Sequence, residues 1–119
     1  MREIKFRAWH KDSREMLHAG VADVFIWQHE GQPIEIMQYT GLKDKNGREI
    51  YEGDIVRVSG VVGPDWIIEY RTNQAAFILC QQDTPFRHTL EIYNTSMLFY
   101  EVIGNIYENT ELLDVAKVL

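Results

Sequence analysis

Met37–Val58 reads MQYTGLKDKNGREIYEGDIVRV, and its local chemistry is that of a β protein. Asn46-Gly47 is a strong hairpin signal, because both residues tolerate positive φ. Lys43, Asp44 and Lys45 keep that turn solvated. Glu52-Gly53-Asp54 is a second tight corner, with Gly53 free to adopt a backbone conformation that other residues avoid. Ile55-Val56-Arg57-Val58 follows as a β-branched strand. An aspartate after a turn glycine commonly accepts backbone hydrogen bonds, so Asp54 is read as structural and not as one of a catalytic carboxylate pair with Glu52.

The flanking segments continue the pattern. Ile4, Phe6 and Ala8 alternate with Glu3, Lys5 and Arg7, the period of a half-buried strand. His10–Arg14 is a polar turn from which Glu15–Leu17 returns as a partner strand. Val21–Trp27 is β-branched and aromatic, with a run of hydrophobics that blurs its facing. Gly31-Gln32-Pro33 is a loop, and Ile34–Tyr39 is a strand with Pro33 placed where its missing N–H costs least. Ser59-Gly60 and Gly63-Pro64-Asp65 are turn clusters. Trp66, Ile68 and Tyr70 share a strand face, Arg71–Gln74 is a turn, and Ala75–Cys80 is the next strand. Gln81–His88 reads as a loop. Thr89–Glu101 is ambiguous, with Asn94-Thr95-Ser96 a candidate turn. Val102–Tyr107 is a final strand in which Gly104 marks a bulge or a close contact. Thr110 is placed to cap a short helix carrying Leu112, Leu113, Ala116 and Leu119.

Three blocks resemble the YopX family of small phage and prophage proteins. They are Arg2–Trp9, then Met37–Val58 with its Gln38-Tyr39-Thr40-Gly41-Leu42 and Tyr51–Val56 segments, then Val102–Asn109 followed by Glu111-Leu112-Leu113. The pattern departs at His10, where an acidic residue is expected, and at Thr110, where proline is expected. It is weak through Ser59–Tyr100. The resemblance implies a mainly β protein encoded by a phage or prophage. Its fold would be an SH3-like barrel at 50–108, preceded by an N-terminal β layer at 1–49 and followed by a short C-terminal helix at 109–119. A glycine-aspartate corner feeding a β-branched strand also fits the start of such a barrel. The family brings no catalytic residue with it.

The 119 residues are one domain by size. No run approaches the roughly 20 apolar residues of a membrane helix, and the N-terminus has no signal-peptide core, so a cytoplasmic protein of a bacterial host is expected. The single cysteine, Cys80, forms no internal disulfide and is read as a buried, inert thiol. The formal charge is −6, unevenly placed: residues 1–14 carry Arg2, Lys5, Arg7, Lys11 and Arg14 against Glu3 and Asp12, while 101–119 are net acidic. An acidic whole repels nucleic acid at long range. The basic N-terminal strand nevertheless makes Arg2, Lys5, Arg7, Lys11 and Arg14 the contacts of a nucleic-acid-binding alternative.

Motifs for catalysis and cofactors are missing from the sequence. Asp44, Asn46 and Gly47 suggest a calcium loop, but with Gly47 as the invariant glycine the first and twelfth ligand positions fall on Leu42 and Gly53. The four histidines lack zinc spacing. Neither a nucleophile elbow nor a phosphate loop nor a dinucleotide fingerprint is present. No enzyme, no cofactor and no metal is therefore expected. Aromatic residues stand out instead. Trp9, Trp27, Tyr39, Tyr51 and Tyr107 lie near strand ends and form a candidate surface for a protein partner or for self-association into an oligomer.

Overall fold

The computed structural model describes residues 3–18, 20–58, 65–81, 100–113 and, for the backbone alone, 87–89. In chain order the elements are β1 (Phe6–His10), β2 (Glu15–His18), α1 (Val21–His29), β3 (Ile34–Lys43), β4 (Glu49–Tyr51), β5 (Asp54–Val58), β6 (Trp66–Arg71), a 3-10 turn (Thr72–Gln74), β7 (Ala76–Cys80), β8 (Arg87–Thr89) and β9 (Tyr100–Asn105). The strands make two antiparallel sheets, ordered β2-β1-β3-β4 and β8-β7-β6-β5-β9. The fold is mainly β and barrel-like, as expected, with one of the two sheets curled into a half-barrel.

The Glu52-Gly53-Asp54 corner is where the chain leaves one sheet for the other. Gly53 has φ +82°. Its N–H donates to the Ile68 carbonyl at 2.8 Å and its carbonyl accepts the Ile106 N–H at 2.9 Å. A side chain there would be strained by the positive φ, although its Cβ would make only ordinary contact with Met37 and Ile106. The main core lies beyond this corner, where Val56, Val58, Trp66, Ile68, Leu79 and Val102 pack with Ile50 of β4.

The loop between β3 and β4 is a hairpin, with Gly47 at φ +84° and its N–H donating to the Asp44 carbonyl. Among its residues only Gly47 takes positive φ. Asp44 organises it. One carboxylate oxygen accepts the N–H of Asn46 at 2.8 Å and of Arg48 at 2.9 Å. The other accepts the Val102 N–H of β9 at 2.9 Å. Within β3 two extra residues bulge between the pairs Tyr39–Tyr51 and Lys43–Glu49. Gly41 turns at φ +90° there, and the Thr40 hydroxyl donates to the Ile50 carbonyl while accepting the Leu42 N–H. The bulge gives the Thr40-Gly41 pair a backbone role. Gly104 meets both expectations placed on it. Ile103 is an extra residue between the pairs Ile55–Gly104 and Val56–Val102, and a Cβ on Gly104 would lie 2.5 Å from the Asn109 side chain.

Several expectations are corrected. Val21–His29 is an α-helix and not a strand. Gly20 and Asp23 open it, and it ends in a Schellman motif: Gly31 sits at φ +79° with its N–H on Gln28, and the Gln32 N–H reaches the Trp27 carbonyl. The helix lies on β1 and β3 and buries Val24 completely, and this docking overrides the β preference of Val, Phe and Ile. Strand β1 is covered on both faces: Phe6 meets Phe25 of α1, whereas Trp9 stacks on Tyr107 and Arg7 reaches Asp54 of β5. Arg87–Thr89 pairs with β7, so the reading of Gln81–His88 as a loop fails at its end. Thr110 lies inside the helical turn 110–113, with Asn109 before it, rather than capping it. The turns at 59–60 and 63–64, the candidate turn at 94–96 and the helical positions 116 and 119 fall outside the described residues.

Two predictions follow from the hairpin. Space around Gly47 is open, so Gly47→Val meets only backbone strain. It should cost about 1–2 kcal/mol in a denaturant melt, and an unchanged midpoint would mean a loop without the positive φ. Burial works to raise the Asp44 carboxyl, but the N–H groups of Val102, Arg48 and Asn46 outweigh it and hold the group below its ordinary value. A carboxyl depressed in the native state stabilises above the unfolded value, about 4, and loses that stabilisation as pH falls through the native one. The stability advantage of the native protein over Asp44→Asn should be about 2 kcal/mol between pH 5 and 7 and should shrink as pH falls below about 4. Melts at a series of pH values would measure it.

Candidate binding surfaces

The structure distributes the aromatic candidates unevenly. Trp9, Tyr39 and Tyr51 are buried, at 8%, 4% and 5% exposure. Trp27 on α1 and Tyr107 after β9 are half-buried. Trp9 and Tyr107 stack with centroids 5.5 Å apart, and Tyr39 packs against Tyr51. Four of the five are thus spent largely on one another, at the junction of the two sheets. The Tyr51 hydroxyl meets Glu49 at 3.2 Å, and burial together with that carboxylate pushes its pKa up to about 12. Burial, then the Glu35 carboxylate, raises Tyr107 as well.

The basic candidates are also accounted for. Arg7 is inside the molecule: Nη2 donates to Asp54 Oδ1 at 2.7 Å and to the Glu52 carbonyl at 3.2 Å, and the guanidinium lies over the Tyr51 ring at 4.6 Å. Asp54 also accepts the Tyr51 N–H at 2.8 Å, which is the structural role read from the sequence. Lys5 binds Glu49 at 2.6 Å and Glu3 at 3.1 Å. Lys11 binds Glu35 at 2.9 Å. Arg14 is exposed in the β1–β2 turn, and Arg2 lies outside the described residues.

Open features among the described residues include a hollow, a cleft and an apolar face. A hollow of about 410 Å³ sits at the start of α1 between Phe6, Val21, Tyr51, Lys5 and Glu49. Beside it α1 exposes Val21, Phe25 and Ile26, at 40%, 45% and 50%, and the preceding chain exposes Ile4 at 53%. A larger cleft, about 580 Å³, lies between the two sheets. Its walls carry Glu35 of β3, Glu52 of the corner, Glu69 and Tyr70 of β6, and Tyr107. Glu52 Oε1 accepts the Gln38 N–H at 2.9 Å, and burial pushes its carboxyl up. No group of three or more His, Cys, Asp or Glu side chains suited to a metal occurs among the described residues. Cys80 is buried with its Sγ 3.3 Å from Glu69.

These features sit on a scaffold with known relatives. The profile of the YopX protein family matches residues 21–114. The chain belongs to the YopX family. Protein EF1440 from Enterococcus faecalis, known from a crystal structure, superposes with a TM-score of 0.62 at 30% identity, over 95% of this chain and 99% of its own. Comparison with curated proteins gives no significant match. No helix among the described residues is long and apolar enough to cross a membrane.

The α1 face escaped the sequence reading because its residues were assigned to a strand. The available signal was Gly31 closing a segment with Val21, Val24 and Phe25 at helical spacing. The cleft carries no local signal, since its walls come from separate segments spread from Glu35 to Leu113.

With Arg7 buried and Lys5 and Lys11 in ion pairs, little positive charge is left for phosphate. Binding to labelled DNA or RNA in an anisotropy titration should be no tighter than about 100 μM at physiological salt. Sub-micromolar binding that falls steeply with salt would contradict this.

Proposed function

We propose that this protein is a phage- or prophage-encoded accessory module that works by binding a protein, a second copy of itself included, and not by catalysis, in the cytoplasm of a bacterial host. The carrying observation is the exposed apolar face of Val21, Phe25, Ile26 and Ile4. Val21 and Phe25 are one helical turn apart, and Val21 also borders the 410 Å³ hollow. Apolar side chains clustered beside a hollow are the ordinary setting of an interface anchor. The surface read for a partner is therefore α1 and not the five aromatic candidates. The phage setting rests on the family resemblance. The nucleic-acid alternative loses support from the burial of Arg7 and from the charge of −6.

Sedimentation at micromolar concentration should reveal a species larger than the monomer; Ile26→Asp should return it to monomer without lowering the melting midpoint, whereas Phe25→Asp, which also loses the packing on Phe6, should do so at a lower midpoint. A monomer at every concentration would remove self-association. The same pair of variants, compared with the native protein in pull-downs from host cells, would then decide whether α1 holds a different protein.

A further inference from the structure

The cleft between the sheets is bounded by a strand edge that no other strand covers. On β3 the Tyr39 N–H turns toward β1 and donates to the Lys5 carbonyl, whereas Gln38 turns the other way, to Glu52. Backbone groups alternate along a strand, so Ile36 also directs its N–H and carbonyl away from β1. Strand β4 pairs with β3 only at Tyr39 and Lys43. Among the described residues, no strand therefore reaches the Ile34–Ile36 edge on that side; the Ile34 N–H is already given to the Gln32 carbonyl, so the edge is offered by Ile36. The opposite wall has the same character. Strand β5 pairs with β6 at Trp66 and Ile67, the Ile68 carbonyl is taken by Gly53, and beyond it Tyr70 has a strand neighbour only in β7.

The cleft walls are acidic. Glu35, Glu52 and Glu69 line it together with Tyr70, Tyr107 and apolar residues such as Ile36, Met37 and Ile106, and no lysine or arginine lines it among the described residues. Lys11 pairs with Glu35 at 2.9 Å as a solvent-exposed contact, and the Arg71 Nε, a buried atom, approaches Glu69 at 3.9 Å. Among the described residues Glu52 has no cation within ion-pair distance, Arg7 acting on it only from farther away; one of its oxygens already closes the β3 edge at Gln38, where an added strand would end. The volume of about 580 Å³ falls inside the range of about 300–1,000 Å³ typical of ligand sites.

We propose that this cleft binds an extended basic peptide segment, which adds as a short strand to the Ile36 edge of β3 and directs a lysine or arginine side chain toward Glu52. Strand addition supplies the main-chain hydrogen bonds, and the carboxylates and tyrosines supply the side-chain preference. The proposal rests on the protein-binding reading but uses a different surface from α1. Failure of one is therefore separable from failure of the other.

The probe is a fluorescent octapeptide of alternating lysine and valine, titrated into the whole protein at low and physiological salt. It should bind at least tenfold tighter than its glutamate–valine counterpart. N-methylation of alternate backbone amides, which leaves its charge and the protein intact, should weaken binding at least fivefold in one of the two registers. Glu52→Gln keeps the acceptor for the Gln38 N–H and should also weaken binding at least fivefold, while Phe25→Asp should leave it unchanged. Ile36→Pro removes the edge N–H that would donate to a peptide carbonyl and should weaken binding at least fivefold, with a melt to verify folding. Equal binding of the two octapeptides, indifference to N-methylation in both registers, or full displacement by spermidine at equal charge concentration would overturn the proposal. No binding at all would also overturn it and leave the carboxylates as protection of an open edge.

Discussion

The buried ion pair between Arg7 and Asp54 is the constraint on which the arrangement of the two sheets depends. Arg7 comes from the middle of β1 and Asp54 opens β5, and their side chains are 8% and 2% exposed. Burial pushes the Asp54 carboxyl up even against the pull of Arg7 and the Tyr51 N–H. Such a pair adds little net stability over a well-packed apolar contact, yet removing one partner is expensive because the other charge stays buried. Its consequence here is geometric. Arg7 lies over Tyr51 and reaches both Asp54 and the Glu52 carbonyl. The Glu52-Gly53-Asp54 corner is thereby fixed against the N-terminal strand.

The neighbouring contacts extend that constraint. Trp9, two residues along the same face of β1, stacks on Tyr107 just past β9. Asp44 in the β3–β4 hairpin holds Val102 of β9, and Lys45 donates its backbone N–H to the Tyr100 carbonyl. The first sheet thus grips the second at the start of β5 and along β9. The inter-sheet cleft lies beside this seam, and Glu52 belongs to both: its backbone carbonyl serves Arg7 and its side chain closes the β3 edge.

Local chemistry made most of the framework legible. The Gly47 turn, the Gly53 corner, the structural role of Asp54 and the bulge at Gly104 each depend on a residue type that few others can replace, so a single sequence suffices. What failed was facing. Period two in β1 is real, but alternation cannot distinguish a strand with one wet face from one covered by a helix on one side and a second sheet on the other. Arg7 therefore read as a surface charge and Trp9 as an interface candidate. Val21–Trp27 failed for a related reason: a short apolar run is ambiguous between a strand and a helix docked on a sheet, and the arbiters were the helical spacing of Val21, Val24 and Phe25 and the Gly31 that follows. The cleft and its open edge arise from pairing across distant segments, which no local pattern encodes.

The claim that Arg7 and Asp54 lock the sheets together is tested most directly by a double-mutant cycle in denaturant melts, with Arg7→Met, Asp54→Asn and the combined variant. Asparagine retains an acceptor for the Tyr51 N–H, so the cycle isolates the charge pair. Arg7→Met alone should cost about 3–5 kcal/mol, and the double variant should recover at least about 2 kcal/mol relative to the sum of the single changes. Additive losses of less than about 1 kcal/mol each, the range of an exposed ion pair, would contradict the account.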